Sequence, residues 1–126
     1  MREIIPNLWM SGSMRPEFNP TGFVRLVDMA ASIPDDANGL GKEVFMQVER
    51  MSRVVADGVR RGEKTLVFCQ AGENRSGLMC ALVLRHFDYS TAAAIARVRE
   101  KVPPITQMPH VLWNPGFVRE LHEYLS

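Results

Sequence analysis

Short apolar runs alternate with stripes of helical period along this chain, and the places where one gives way to the other predict its elements. Leu8-Trp9-Met10 reads as a strand. Val24-Arg25-Leu26-Val27-Asp28-Met29 reads as a second, with apolar and polar residues alternating as in a half-buried strand. Between them, Ser11-Gly12-Ser13 and a Pro- and Asn-rich stretch to Thr21-Gly22 have the composition of a loop. Ile33-Pro34-Asp35-Asp36-Ala37-Asn38-Gly39 is also loop by composition and carries two adjacent carboxylates. From Lys42 the period turns helical, with Val44, Val48, Met51, Val55 and Val59 on one apolar stripe. Arg60 and Arg61 then stand where cations suit the helix dipole, and Gly62 supplies a stop.

Thr65-Leu66-Val67-Phe68 predicts a short central strand. Ser76 to Phe87 is a helix apolar on most sides and therefore expected to be buried. Ser90 or Thr91 caps a further helix through Val102, ended by Pro103-Pro104. Asn114-Pro115 has the form of an N-cap followed by proline at the first helical position, and opens a final helix with Phe117, Val118, Leu121 and Leu125 inside. Strands interleaved with helices predict an α/β domain, a central and mostly parallel sheet flanked by helices. With no repeat, low-complexity tract or long linker, residues 1–126 are read as one domain.

Composition narrows the partners. The chain is 46% hydrophobic and 23% charged, as expected of a soluble globular protein. Its net charge of +1 gives no global field to attract nucleic acid or acidic membranes, so any anion site is local. No apolar run approaches the roughly 20 residues needed to span a bilayer, and the N-terminus lacks the apolar core of a signal peptide. A cytoplasmic monomer without membrane or nucleic-acid partners is expected. Cys69 and Cys80 are too few for a disulfide scaffold, and His86, His110 and His122 lie far apart. No metal or cofactor is expected.

The chemistry concentrates in Val67-Phe68-Cys69-Gln70-Ala71-Gly72-Glu73-Asn74-Arg75-Ser76-Gly77, a strand, a tight loop and a helix start. A cysteine with glycine three residues on, then arginine and serine after the loop, arises by chance in about one chain in a thousand. Residues Gln70, Ala71, Gly72, Glu73, Asn74 and Arg75 can curl so that successive backbone N–H groups face one centre, an anion-binding nest reinforced by the helix N-terminus. Arg75 offers a planar fork for two phosphate oxygens. These positive features favour thiolate at Cys69, which can attack phosphorus and form a phosphocysteine. Ser76 is placed to hydrogen-bond the sulfur as it leaves, or to cap the helix. The leaving oxygen needs a proton, and Asp35 and Asp36 are the candidate donors. Asp28, on a strand, is a lesser one. Glu73 is expected near the mouth, where its charge would disfavour highly charged substrates. Asn74 is a candidate brace for the loop, and Cys80, inside an apolar helix, is expected to pack.

The Cys-(five residues)-Arg-Ser loop resembles that of the cysteine-dependent protein tyrosine phosphatase superfamily, especially the small dual-specificity phosphatases. Ile5-Pro6-Asn7-Leu8-Trp9-Met10-Ser11-Gly12 resembles their opening strand, and Asn114-Pro115-Gly116-Phe117-Val118 their closing helix. The resemblance implies Cys69 as nucleophile, Arg75 as phosphate clamp and Ser76 as assistant to thiolate departure. It differs at three places. Phe68 stands where the family usually has histidine. The stretch from Met29 to Ile33 has no room for the family's extra helix and strand. The family's acid often follows a proline by two or three residues, which fits Asp36 after Pro34 better than Asp35.

The function expected from the sequence is a cysteine-dependent phosphomonoesterase, a tyrosine or dual-specificity protein phosphatase. Its substrate would be a phosphorylated protein or peptide, and phosphate or sulfate would occupy the loop. A phosphatase-like phospho-binding module with little turnover and an RNA 5′-phosphatase are the alternatives.

Overall fold

Strand β4 (Thr65–Cys69) is the axis of the molecule, because it is the strand that delivers Cys69. The computed structural model describes residues 1–125. In chain order, β4 is preceded by β1 (Arg2–Ile5), β2 (Leu8–Gly12), β3 (Arg25–Asp28) and helix α1 (Lys42–Arg60). It is followed by α2 (Arg75–Arg85), α3 (Thr91–Lys101) and α4 (Pro115–Tyr124). The sheet order is β1-β2-β4-β3, with β4 parallel to both neighbours and β1 antiparallel to β2. Strand β1 was not expected as an element; Asn7, with φ at 74°, makes the tight turn that folds it back on β2.

Alternation along β4 divides the sheet into two faces. Val67 and Cys69 point into the main core with Leu8, Met10 and the helices. Leu66 and Phe68 point the other way, where the 13–24 loop covers them. Phe18 packs on Phe68 with ring centroids 5.2 Å apart, and Phe23 meets Trp9 at 6.0 Å. The Phe68 ring therefore lies on the sheet face opposite the thiol. Helix α2 is buried throughout Ser76–Leu84 because it contacts β2 and β4 below and α1, α3 and α4 around it.

The apolar positions around β3 divide between two faces, with Val27 and Met29 on the core side. Val24 and Leu26 are 72% and 52% exposed, while Arg25 is half-buried. β3 is an edge strand, and the aromatic cover on Leu26's face stops at Phe68. On the helix side Arg25 reaches the Val54 carbonyl and Glu63, at 3.3 and 3.0 Å. The α1 stripe is also rotated. Phe45 is fully buried and Val44 is at the margin. Glu49 and Ser52 lie on the buried side because Ser52 Oγ meets His86 Nε2 at 3.0 Å and Arg53 donates to Glu49. The remaining helix signals match the structure: Ser90 and Asn114 accept from Ala93 and Phe117 as N-caps, and Gly62 takes φ of 83° after α1.

After β3 the chain turns at once. Asp28 Oδ1 accepts from the Ala30 and Ala31 amides, and Ile33 N donates to the Met29 carbonyl. The turn leads straight into the 33–41 loop with no described helix or strand between, and it engages the Asp28 carboxylate locally.

Candidate active site

The loop from Cys69 to Arg75 joins the C-terminal end of β4 to the N-terminus of α2. Its path depends on close backbone contact with β2. A Cβ on Gly72 would stand 2.6 Å from Gly12 N, and one on Gly12 would stand 2.4 Å from Gly72 N. Gly72 also has φ at 74°, where a side chain is strained. The carbonyls of this loop are all spoken for. Ser13 N and Met14 N donate to the Cys69 and Gln70 carbonyls, at 2.8 and 2.9 Å. Arg15 donates to those of Ala71 and Gly72, and Leu112 N to that of Glu73. Among the described residues, no backbone N–H of residues 70–74 donates to a protein acceptor. Carbonyls held by partners outside the loop, with amides left without protein acceptors, suit an anion nest.

Cys69 is buried, and its Sγ lies 3.3 Å from Ser76 Oγ in the first turn of α2. Arg75 is half-buried. Its Nη1 reaches the Ile33 carbonyl at 3.4 Å and its Nη2 the Gln70 Oε1 at 3.5 Å, both at the long limit of a hydrogen bond. Its Nε is buried without a protein partner among the described residues. A guanidinium so lightly held keeps its fork available for an oxyanion. Burial raises the thiol pKa of Cys80 strongly, with the neighbouring Cys69 as a lesser cause, so Cys80 is an inert packing residue at neutral pH.

Of the two acid candidates, the structure brings Asp35 to the loop. Its Oδ2 accepts from Asn74 Nδ2 at 3.1 Å and its Oδ1 from Asn114 Nδ2 at 2.6 Å. Asn74 Oδ1 in turn accepts from Asn114 N at 2.8 Å. Asp36 points into its own turn, where Oδ1 accepts from Asn38 N at 2.8 Å. The proline spacing that favoured Asp36 is not what sets the approach, because the two asparagines select the first carboxylate. The loop that carries both aspartates is also clamped from behind. Glu120 of α4 accepts from Leu40 N and Gly41 N at 2.8 and 2.7 Å. Arg119 donates to the Asn38 carbonyl.

Glu73 is not at the mouth. It is 1% exposed, and its carboxylate accepts from Ile105 N, Thr106 N, Thr106 Oγ1 and Trp113 Nε1 at 2.8–3.0 Å. The repulsion of highly charged substrates expected from its charge therefore loses its basis. Burial alone would raise the carboxyl's pKa, but these donors hold it below the ordinary glutamate range. A depressed folded-state pKa contributes stability above the unfolded value and loses it as pH falls through the folded one. We expect Glu73→Ala, which strands those donors, to cost about 2–4 kcal/mol in urea unfolding at pH 7. The difference from the parent should shrink as the buffer is taken below the ordinary glutamate pKa. An equal gap at pH 3 and pH 7 would contradict the charged-acceptor role.

Arg15, Glu120 and Trp113 take part in this architecture without a sequence signal of their own, and Asn114 had a signal only for its cap. The Asn114 side chain does two jobs, capping α4 and holding Asp35.

Comparison with known proteins places this arrangement. No protein-family model matches the chain. Protein 123R of Invertebrate iridescent virus 6, a candidate tyrosine phosphatase, is 28% identical over 83 residues, 65% of this chain. That match spans only about half of the viral protein, 54%. Human DUSP28 superposes with a TM-score of 0.70 at 22% identity, covering 98% of this chain and 94% of its own. A human tyrosine phosphatase-like serine/threonine/tyrosine-interacting protein gives a TM-score of 0.67 at 20% identity, covering 99% and 95%. The fold is that of these dual-specificity-phosphatase-like structures. Here it carries a four-stranded sheet and the short turn after β3.

Proposed function

We propose that this protein is a cysteine-dependent phosphomonoesterase acting on phosphorylated protein or peptide. The observation that carries the reading is the loop after Cys69: amides 70–74 without protein acceptors, beside a lightly held Arg75 and a thiol. In the first step Cys69 Sγ attacks phosphorus in line. The S–P bond forms as the bond to the leaving oxygen breaks, and that oxygen takes a proton from the acid loop, from Asp35 in this geometry. The non-bridging oxygens rest on the loop amides and the Arg75 fork. In the second step water attacks phosphorus and gives its proton to the same carboxylate. The S–P bond breaks, with the Ser76 hydroxyl donating to the departing thiolate.

The site belongs to a chain in which no described helix is long and apolar enough to cross a membrane. A cytoplasmic monomer fits the reading. The test is hydrolysis of an aryl phosphate by the unmodified protein in the presence of a chelator, with vanadate as competitor. Turnover blocked by vanadate is the expected result. Tight phosphopeptide binding with no turnover would replace the enzyme by a phospho-binding module.

A further inference from the structure

Arg15 belongs to no motif, lies in the loop after β2, and is 5% exposed. Its Nε donates to the Ala71 carbonyl at 2.9 Å and its Nη2 to the Gly72 carbonyl at 3.0 Å. These are consecutive peptide units at the centre of the anion loop, 56 and 57 residues away in sequence. In a trans peptide the N–H of one residue points opposite to the C=O of the residue before it. Holding the carbonyls of Ala71 and Gly72 outward therefore turns the amides of Gly72 and Glu73 inward. Gly72 is also where the chain most needs an external hold, since a glycine at φ of 74° has other conformations within easy reach. The flanking carbonyls are held by backbone amides, but these two depend on a side chain.

We propose that Arg15 is a positioning residue of the anion site: its fork sets the two central peptide planes so that the Gly72 and Glu73 amides face the bound phosphate. This rests on the phosphate-site reading and extends it to a residue outside the loop. The charged neighbours fit a resident cation. Burial lowers the guanidinium's pKa, while Glu17, Glu73 and Cys69 act against that and Arg2 acts with it. Glu73 already has donors of its own and does not need Arg15. No water or unpaired carboxylate is required to explain why a cation is buried there.

The experiment compares the full chain with Arg15→Met, which keeps much of the volume and loses both bonds, and Arg15→Lys, which keeps the charge and loses the fork. Inorganic phosphate affinity is measured by calorimetry, and backbone order at Gly72 and Glu73 by 15N relaxation. Arg15→Met should weaken phosphate binding about 10- to 100-fold, as expected for two hydrogen bonds from a charged donor. Arg15→Lys should recover part of that loss. Order parameters at both amides should fall from the rigid range near about 0.85 toward 0.6 or below, with or without phosphate. A purely structural arginine would lower the melting temperature and leave the affinity and loop order of the folded protein unchanged, and that result overturns the proposal. If Arg15→Met does not fold, Arg15→Lys decides: unchanged affinity and order overturn the proposal, and a loss of both supports it. If the parent itself binds no phosphate, the phosphate-site reading falls, and the order parameters still judge the role of Arg15.

Discussion

Replacing Cys69 by serine is expected to lower turnover of an aryl phosphate by about a thousandfold or more while phosphate still binds. The two parts of this result come from different groups. Turnover needs a thiolate to form the S–P bond, and a serine hydroxyl in the same place has no comparable base beside it. Binding needs the loop amides and Arg75, and neither depends on the sulfur. Sγ pairs with Ser76 Oγ at 3.3 Å, and a serine hydroxyl can keep that hydrogen bond. Stopped-flow release of aryl alcohol and calorimetric phosphate binding, made on the same preparation, check both halves. Equal turnover in Cys69→Ser and the parent would remove the phosphocysteine from the mechanism. Loss of phosphate binding together with turnover would mean that the substitution had disturbed the loop.

The second large effect is expected at the acid loop. Asp35→Asn should reduce kcat about 10²-fold or more, the usual scale for losing a general acid, and Asp36→Asn should change it less than about threefold. The reason is placement. The Asp35 carboxylate lies one hydrogen bond from Asn74 of the Cys69–Arg75 loop, whereas Asp36 closes its own turn. Asparagine at 35 keeps the shape but only one of the two acceptor oxygens, so either Asn74 or Asn114 loses its partner and the melting temperature should fall by a few degrees while the protein stays folded at the assay temperature. A phosphate ester with a good leaving group provides the control, because it needs little protonation and should lose much less kcat in Asp35→Asn. The reverse ranking, with Asp36→Asn the slower enzyme, would reassign the acid to Asp36 and leave Asp35 as a tether. A loss in Asp35→Asn that is the same for good and poor leaving groups would point to positioning rather than proton transfer.

Much of the local structure was legible because it depends on neighbours in sequence. The α1, α2, α3 and α4 segments each carry a period or a cap within a few residues, as with Ser90 accepting from Ala93 and Asn114 from Phe117. The Cys69 loop was legible for the same reason. Its thiol, glycine, arginine and serine lie within eight residues, and a strand and helix on either side fix their relative directions.

What stayed hidden depends on which side of an element meets another. Val27 and Met29 of the second predicted strand do reach the core, but Val24 and Leu26 on its other face are exposed, because β3 is an edge strand of the sheet. The charge of Glu73 was visible and its direction was not. Donors from residues 105, 106 and 113 turn the carboxylate inward, and none of them is near it in sequence.

The amino-acid sequence alone therefore determined the α/β framework and the candidates Cys69 and Arg75 for nucleophile and clamp, since each rests on short-range spacing. Only the tertiary structure decided which aspartate approaches, where Glu73 points, and that Arg15 holds the back of the loop. Those three depend on hydrogen bonds spanning 32 to 79 residues. Bonds of that kind form only once the sheet and helices have brought distant segments together, and no local pattern encodes them.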